Sequence, residues 1–405
     1  MKAAGETAGL PATRGAASRA QARRLQAVRD QLALPLVWLH ADTSHGARRL
    51  LALSDALLQS PGAPSVVLTH PHGIEPLPER FGRLCLPAAA DDPAYVRMLG
   101  AEALPNVLMC LVAPVPVRMV TAAHGLGIPV CLIEMDRPIF ATRWMQWPGH
   151  ATRAAGRLAQ VFLRNKDGRV PWGALGLSED NLPICGHMSQ TPVALGCNDA
   201  ERDALAEAFR NRTIWLAAGI PEDEEEVILD AHAEALRDSH RLALILHPHD
   251  PQRGAELKAR AGAQFSTALR SIDDPLLPDT QVYIADTEGE RGLWYRLATA
   301  CYLGGTLTRT GPALSPMEAA GLGCATVHGR MFGRFAEEFD LLREARATRM
   351  IQSRDALGAA IRATLRPEQA ADMAHRGWQV IAEGSEATER VIAALLEYCA
   401  RPGAT

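Results

Sequence analysis

Aromatic side chains are scarce in this chain. They make up 5% of it, so Leu, Val and Ala must fill most of its core. Paired cysteines are missing as well. Cys85, Cys110, Cys131, Cys185, Cys197, Cys301, Cys324 and Cys399 are scattered without a C-x-x-C pair. Neither a zinc spacing nor a disulfide framework is signalled, and no intrinsic metal is expected. Most of these cysteines lie in apolar runs and read as buried thiols of a reducing compartment. No uninterrupted apolar run reaches about 18 residues, so no membrane span is expected, and no signal peptide is apparent. A strong charge of one sign is also lacking. The formal net charge of −4 gives no electrostatic case for nucleic acid as the main partner.

What is present reads as two α/β domains. The 405 residues suffice for two cores of about 180 residues each. Residues 1–34 stand apart, because in the first 29 of them Lys2, Arg14, Arg19, Arg23, Arg24 and Arg29 face a single acid, Glu6. This segment reads as a solvated, partly disordered basic tail, with residues 17–33 able to form a helix. Its charge suits a peripheral, weak attraction to an anionic membrane surface.

Strand-like and helix-like segments alternate from residue 36 onward. The first strands expected are Leu36–His40, Ser65–Thr69, Val107–Val112 and Pro129–Ile133. A second set follows at Ile214–Ala218, Leu242–His247, Val282–Ala285, Ala300–Gly304 and Cys324–Val327. Leu50, Leu53 and Leu57 mark one face of a helix, and Glu222–Arg237 is a helix whose acidic first turn suits the macrodipole. Residues from Pro367 to Ala400 also read as helical. Such a rhythm implies parallel sheets covered on both faces. The expected division is an N-terminal domain over 35–190, a linker near 188–198, a C-terminal domain over 199–370, and a helix and tail over 371–405. Two doubly wound, Rossmann-like domains facing a cleft bind ligands at the carboxyl ends of their strands.

Three loops of the second half follow strands. In His247-Pro248-His249-Asp250-Pro251, two prolines hold imidazoles and a carboxylate on extended backbone. In Asp286-Thr287-Glu288-Gly289-Glu290, Thr287 and Glu290 have the spacing of a capping box. Gly289 in a first helical turn costs about 1 kcal/mol, which suits a ligand that approaches the backbone closely. The third loop runs from Gly304-Gly305-Thr306 to Ser315-Pro316-Met317-Glu318, where Ser315 is a natural N-cap and Pro316 fits the first helical position. A double glycine beside two helix starts suits a phosphate, and the glutamates suit ribose hydroxyls. Each loop alone is also explained by ordinary turn and capping chemistry.

Taken in order, Asp286-Thr287-x-Gly289-Glu290, Gly292-Leu293-x-Tyr295, Gly304-Gly305-Thr306-Leu307 and Ser315-Pro316-x-Glu318 resemble the bacterial 3-deoxy-D-manno-octulosonic acid (Kdo) transferases. Leu229-Asp230-Ala231-His232 and Trp38-x-His40-Ala41 are similar to that family too. The resemblance covers roughly residues 36–365 and is strongest over 213–335. It implies an α/β fold of GT-B architecture and an inverting, metal-independent glycosyltransferase. The donor would be CMP-Kdo, with no further cofactor, and the acceptor a lipid A precursor of lipopolysaccharide biosynthesis. The implied location is cytoplasmic, peripheral on the cytoplasmic face of the inner membrane. The family's CMP contacts map onto Pro248 and His249, onto Glu288, Gly289 and Glu290, and onto Ser315, Pro316, Met317 and Glu318.

The chain departs from the family in its first loop. Alignment from His40 puts Gly46 where the family has its catalytic glutamate. The proton acceptor expected in its place is Asp42 or His45, which share that loop. Two further readings stand beside this one: a catalytically impaired paralogue that keeps the fold and binds a nucleotide or partner protein, and a transferase of another nucleotide sugar.

Overall fold

The computed structural model describes residues 35–401 except 79, 103, 142–148, 189–194, 211 and 309–313. The basic tail and most of the expected linker lie outside the described residues. The chain divides into two units, residues 1–190 with 383–405, and residues 191–382.

The first unit is a six-stranded parallel sheet. Its strands are β1 (Leu36–Ala41), β2 (Ser65–His70), β3 (Arg83–Pro87), β4 (Val107–Leu111), β5 (Val130–Ile133) and β6 (Gln160–Phe162). Their order across the sheet is β3-β2-β1-β4-β5-β6. Alternation along β1 feeds two cores. Leu36 and Trp38 join one hydrophobic cluster, whereas Val37 and Leu39 join another. The second cluster also takes Ala387, Val391, Leu395 and Tyr398 from the Pro367–Ala400 helix. That packing explains why the end of the last helix belongs to the first unit.

The second unit is a seven-stranded parallel sheet. Its strands are β7 (Ile214–Ile220), β8 (Ala243–Pro248), β9 (Thr267–Leu269), β10 (Val282–Ile284), β11 (Ala300–Leu303), β12 (Ala325–His328) and β13 (Thr348–Met350). They run in the order β13-β12-β11-β7-β8-β10-β9. Strand order reverses at β7, so loops after β7 and β11 diverge and leave a crevice at the carboxyl ends. All strand pairings in both sheets are parallel among the described residues. Six of the eight cysteines are buried, and Cys197 and Cys399 are partly exposed. Among the described residues, no helix is long and apolar enough to cross a membrane.

One buried charge in the first unit is a hub. Glu134, just past β5, has a left-handed backbone with φ of 58°. Its carboxylate accepts hydrogen bonds from Arg49, from Arg164 Nε at 3.1 Å and from the Met188 amide at 2.6 Å, and it pairs with His187 at 2.8 Å. Burial alone would raise its pKa. The His187 hydrogen bond and the charges of Arg49, His187 and Arg164 outweigh burial and bring it down to about 2. The unfolded chain therefore takes up this proton first as pH falls. The stabilisation is complete above about pH 4.5 and is lost between there and about 2. Melting temperature followed through this window should fall in the parent and fall less in Glu134→Gln. Equal slopes would refute the role assigned to Glu134.

Candidate functional site

A cavity of about 440 Å³ opens at the carboxyl ends of the second sheet. Its walls include Gly219 at β7's bulge, His247 and His249 at the end of β8, and Glu288, Gly289 and Arg291 after β10. Ser315 and Glu318 come from beyond β11, and Arg334 from beyond β12. The placement is where a doubly wound sheet binds ligands. Of the residues expected from sequence, it brings together His249, Glu288, Gly289, Ser315 and Glu318.

The others lie behind this wall. Pro248 is the last residue of β8 and is buried. Pro316 and Met317 form the first turn of the Pro316–Gly321 helix, and Met317 packs in a small core with Ala320, Leu342 and Ala347. Ser315 caps that helix as expected, its Oγ accepting from the Met317 amide at 3.2 Å. Glu290 turns away from the cavity. Arg270 holds it through two hydrogen bonds of 2.8 and 3.2 Å, and Thr287 donates its hydroxyl to the same carboxylate. Burial would raise the pKa of Glu290, but these bonds outweigh it and lower the value. The expected Thr287 capping box is therefore not formed. The helix begins at Arg291 with Glu290 at its N-cap and no side-chain cap bond. Gly289 has a different reason from the one read in sequence. Its φ is +80°, which favours glycine, and open space surrounds the position of an added Cβ.

The double glycine is also corrected. Its amides are already taken: Gly304 donates to the Ala218 carbonyl at 2.8 Å, and Gly305 donates to an internal anion, the wholly buried Glu224. Gly305, Leu307 and Thr308 donate their N–H groups to that carboxylate at 3.0, 3.0 and 2.9 Å. Gly304 is required for another reason: a Cβ there would lie 2.3 Å from the Gly219 carbonyl oxygen. The loop is a structural brace, not an open phosphate cradle.

Two cations in the cavity, Arg291 and Arg334, were not singled out from sequence. Glu318 Oε2 lies 3.5 Å from Arg291 Nε and has no hydrogen-bond partner among the described residues. Burial raises the pKa of Glu318, with Arg291 and Arg334 opposing. His247 Nδ1 accepts from the Gly219 amide at 3.1 Å, and burial with the nearby Arg291 charge lowers its pKa to about 4. His247 is therefore neutral near pH 7, with one ring nitrogen committed to the backbone. Cations, a carboxylate with an unused acceptor and open glycine backbone suit an anion that carries hydroxyls.

Asp42 and His45 lie in the first unit, at the carboxyl end of β1. That is the switch point of the first sheet, between β1 and β4. Asp42 Oδ2 accepts the Ala113 amide at 3.0 Å. Burial raises its pKa, with the Ala113 amide opposing. His45 stands in the first turn of the Ser44–Leu58 helix, which Thr43 caps through the Gly46 amide at 3.0 Å. Gly46 is buried, and a Cβ there would meet Thr43 Oγ1 at 2.9 Å. Among the described residues, no group of three or more His, Cys, Asp or Glu is placed to hold a metal ion.

No protein-family model matches the chain. Among curated proteins, it is 28% identical over 270 residues to a 3-deoxy-D-manno-octulosonic acid transferase of Haemophilus influenzae. That match covers 64% of this chain and 62% of the relative. It is 34% identical over 158 residues to a probable mitochondrial transferase of the same name from Arabidopsis thaliana, covering 38% of this chain and 34% of the relative. A third such transferase, from Bordetella pertussis, is 27% identical over 397 residues, covering 91% and 88%. The chain thus spans less than two thirds of the first two relatives. Among solved structures, the C-terminal CMP-Kdo binding domain of WaaA from Acinetobacter baumannii is 26% identical, with a TM-score of 0.37. It covers 50% of this chain and 97% of that one.

Proposed function

We propose that this chain, which is similar to 3-deoxy-D-manno-octulosonic acid transferases, is a member of that family and transfers Kdo from CMP-Kdo to a lipid A precursor, with inversion and without a metal. The observation that carries this reading is the cavity at the ends of β7, β8, β10, β11 and β12, where His249, Glu288, Gly289, Ser315 and Glu318 converge. In this reading Glu318 accepts from the ribose hydroxyls of CMP, and Arg291 and Arg334 face its phosphate. Ser315 and the Gly289 backbone close on the nucleotide. The acceptor hydroxyl attacks the anomeric carbon as the bond to CMP breaks, and its proton passes to Asp42 or His45. The Kdo product leaves with inverted configuration. The protein would work peripherally on the cytoplasmic face of the inner membrane.

Calorimetric titration with CMP tests the donor site. Glu318→Ala should weaken binding by about 1.5–3 kcal/mol, as loss of hydrogen bonds to a charged acceptor does. Equal affinity for both proteins would sink the assignment. Transfer of Kdo from CMP-Kdo to a lipid A precursor by the purified protein then tests the reaction itself.

A second reading is favoured by one observation. Gly46 occupies the position of the family's catalytic glutamate, and the space for a side chain there is closed by Thr43. The chain would then be a paralogue that binds the nucleotide and transfers nothing.

A further inference from the structure

We propose that a second cavity, in the first unit, binds the phosphomonoester head of an acylated lipid. This cavity has a volume of about 670 Å³ and lies among the helices Pro93–Glu102, Val117–Gly125 and His150–Ala155. Among the described residues, four guanidinium groups line it, those of Arg97, Arg118, Arg153 and Arg157. Helical spacing puts them there. Pro93 and Arg97 are four apart on one helix, Arg118 and Ala122 four apart on the next, and Arg153 and Arg157 four apart from the third into the turn beyond it. Arg157 ties two of these elements together by donating to Thr121 Oγ1 at 2.7 Å.

Among the described residues, one acid lines the wall, Asp91, and it offsets only part of this charge. Asp91 is committed to the backbone, accepting from the Arg118 amide at 3.2 Å and the Met119 amide at 2.7 Å. Arg97, Arg118 and Arg153 form no ion pair among the described residues. Four cations around one cavity, with one committed acid, match a dianion better than a monoanion. A phosphomonoester offers that charge and the oxygens that guanidinium forks grip in pairs.

The rest of the wall is apolar. Val115, Val117, Ala122 and Ala154 contribute to it. The neighbouring Ile139 is 53% exposed, and its carbonyl accepts from the Val115 amide at 2.8 Å. A free phosphate would leave this surface unused, whereas the glycerol and acyl part of a lipid would cover it. Within the proposed transferase reaction this cavity would hold a phosphate of the acceptor, a step that rests on that reading. The binding itself does not.

The test is flotation of the full-length protein with phosphatidylcholine vesicles containing either phosphatidic acid or phosphatidylglycerol at matched surface charge. A chain lacking residues 1–29 is run beside it, to remove the contribution of the basic tail. Both should prefer phosphatidic acid. The triple variant Arg97→Gln, Arg118→Gln, Arg153→Gln should lose about tenfold or more on phosphatidic acid, roughly the effect of 1.4 kcal/mol, and fall to the phosphatidylglycerol level. Its CMP affinity should be unchanged, which separates this site from the donor cavity. If CMP binding also fails, the single variants Arg118→Gln and Arg153→Gln replace it, each expected to weaken phosphatidic acid binding alone. Equal binding of both lipids, or parent-like binding by the variants, would overturn the proposal. So would inorganic phosphate binding as tightly as the lipid.

Discussion

Replacing Glu224 by Ala should lower the stability of the second unit more than any other single change in the loops around its cavity. The expected loss is about 3–5 kcal/mol, the range for stripping one partner from a buried charged network. The carboxylate is wholly buried. Its Oε2 accepts from the Tyr302 hydroxyl at 2.8 Å and the Gly305 amide at 3.0 Å. Its Oε1 accepts from the amides of Leu307 and Thr308 at 3.0 and 2.9 Å. Alanine would take this acceptor from three buried or half-buried amides and from the Tyr302 phenol, and a buried donor left unsatisfied costs roughly 1–3 kcal/mol. Glu224→Gln keeps the shape but turns one acceptor into a donor facing donors, so it should also destabilise. At roughly 2–4 °C per kcal/mol for a unit of this size, the melting temperature should drop by about 10 °C. CMP binding should weaken too, because the braced loop packs through Gly304 on Gly219, which lines the cavity. A Glu224→Ala protein that melts with the parent would show that the amides find other partners.

Glu224 also shows why part of the site was not legible in sequence. Gly304-Gly305-Thr306 looks like an open anion nest when read locally. The anion that fills it comes from a helix start some eighty residues earlier, and no local pattern joins the two. Glu290 misled in the same way: its spacing from Thr287 fits a capping box, but Arg270 claims the carboxylate from another loop. Arg291 and Arg334 went unnoticed because a lone arginine at a helix start or in a loop carries no periodic signal. His249, Glu288, Gly289, Ser315 and Glu318 were legible because each follows a strand, and strand ends in a parallel sheet converge. The strands themselves divide along a physical line. Every inner strand appeared as an apolar run, since it is covered on both faces and paired on both sides. The four that were missed, β3, β6, β9 and β13, are the outer strands of the two sheets. They are only three to five residues long and include Arg83, Gln160, Thr267 and Arg349. Short, mixed-polarity edges carry too little pattern to separate from loops.

The second large effect concerns the proton acceptor. Asp42→Ala or His45→Ala should slow Kdo transfer by about 10²–10⁴-fold, the usual consequence of removing a general base. CMP affinity should stay near the parent's, because both residues belong to the first unit and the described residues that line the cavity proposed for CMP all belong to the second. Asp42 is the stronger choice. It supplies the same chemistry as the family's glutamate, four residues earlier, from the carboxyl end of β1. One of its oxygens is held by the Ala113 amide, which orients the carboxylate. Burial raises its pKa above the ordinary 3.8, moving it towards the pH at which a base works best. The basic form is then lost as pH falls through that raised value, so the transfer rate should decline on the acid side in the parent. With Asp42 as the base, Asp42→Ala removes this limb together with most of the rate. With His45 as the base, Asp42→Ala keeps most of the rate and His45→Ala loses it. Parent-like rates in both variants would show that neither residue takes the proton. A parent that binds CMP and transfers nothing would instead mean that the loss of the glutamate at position 46 ended catalysis, and the nucleotide-binding paralogue would be the correct reading.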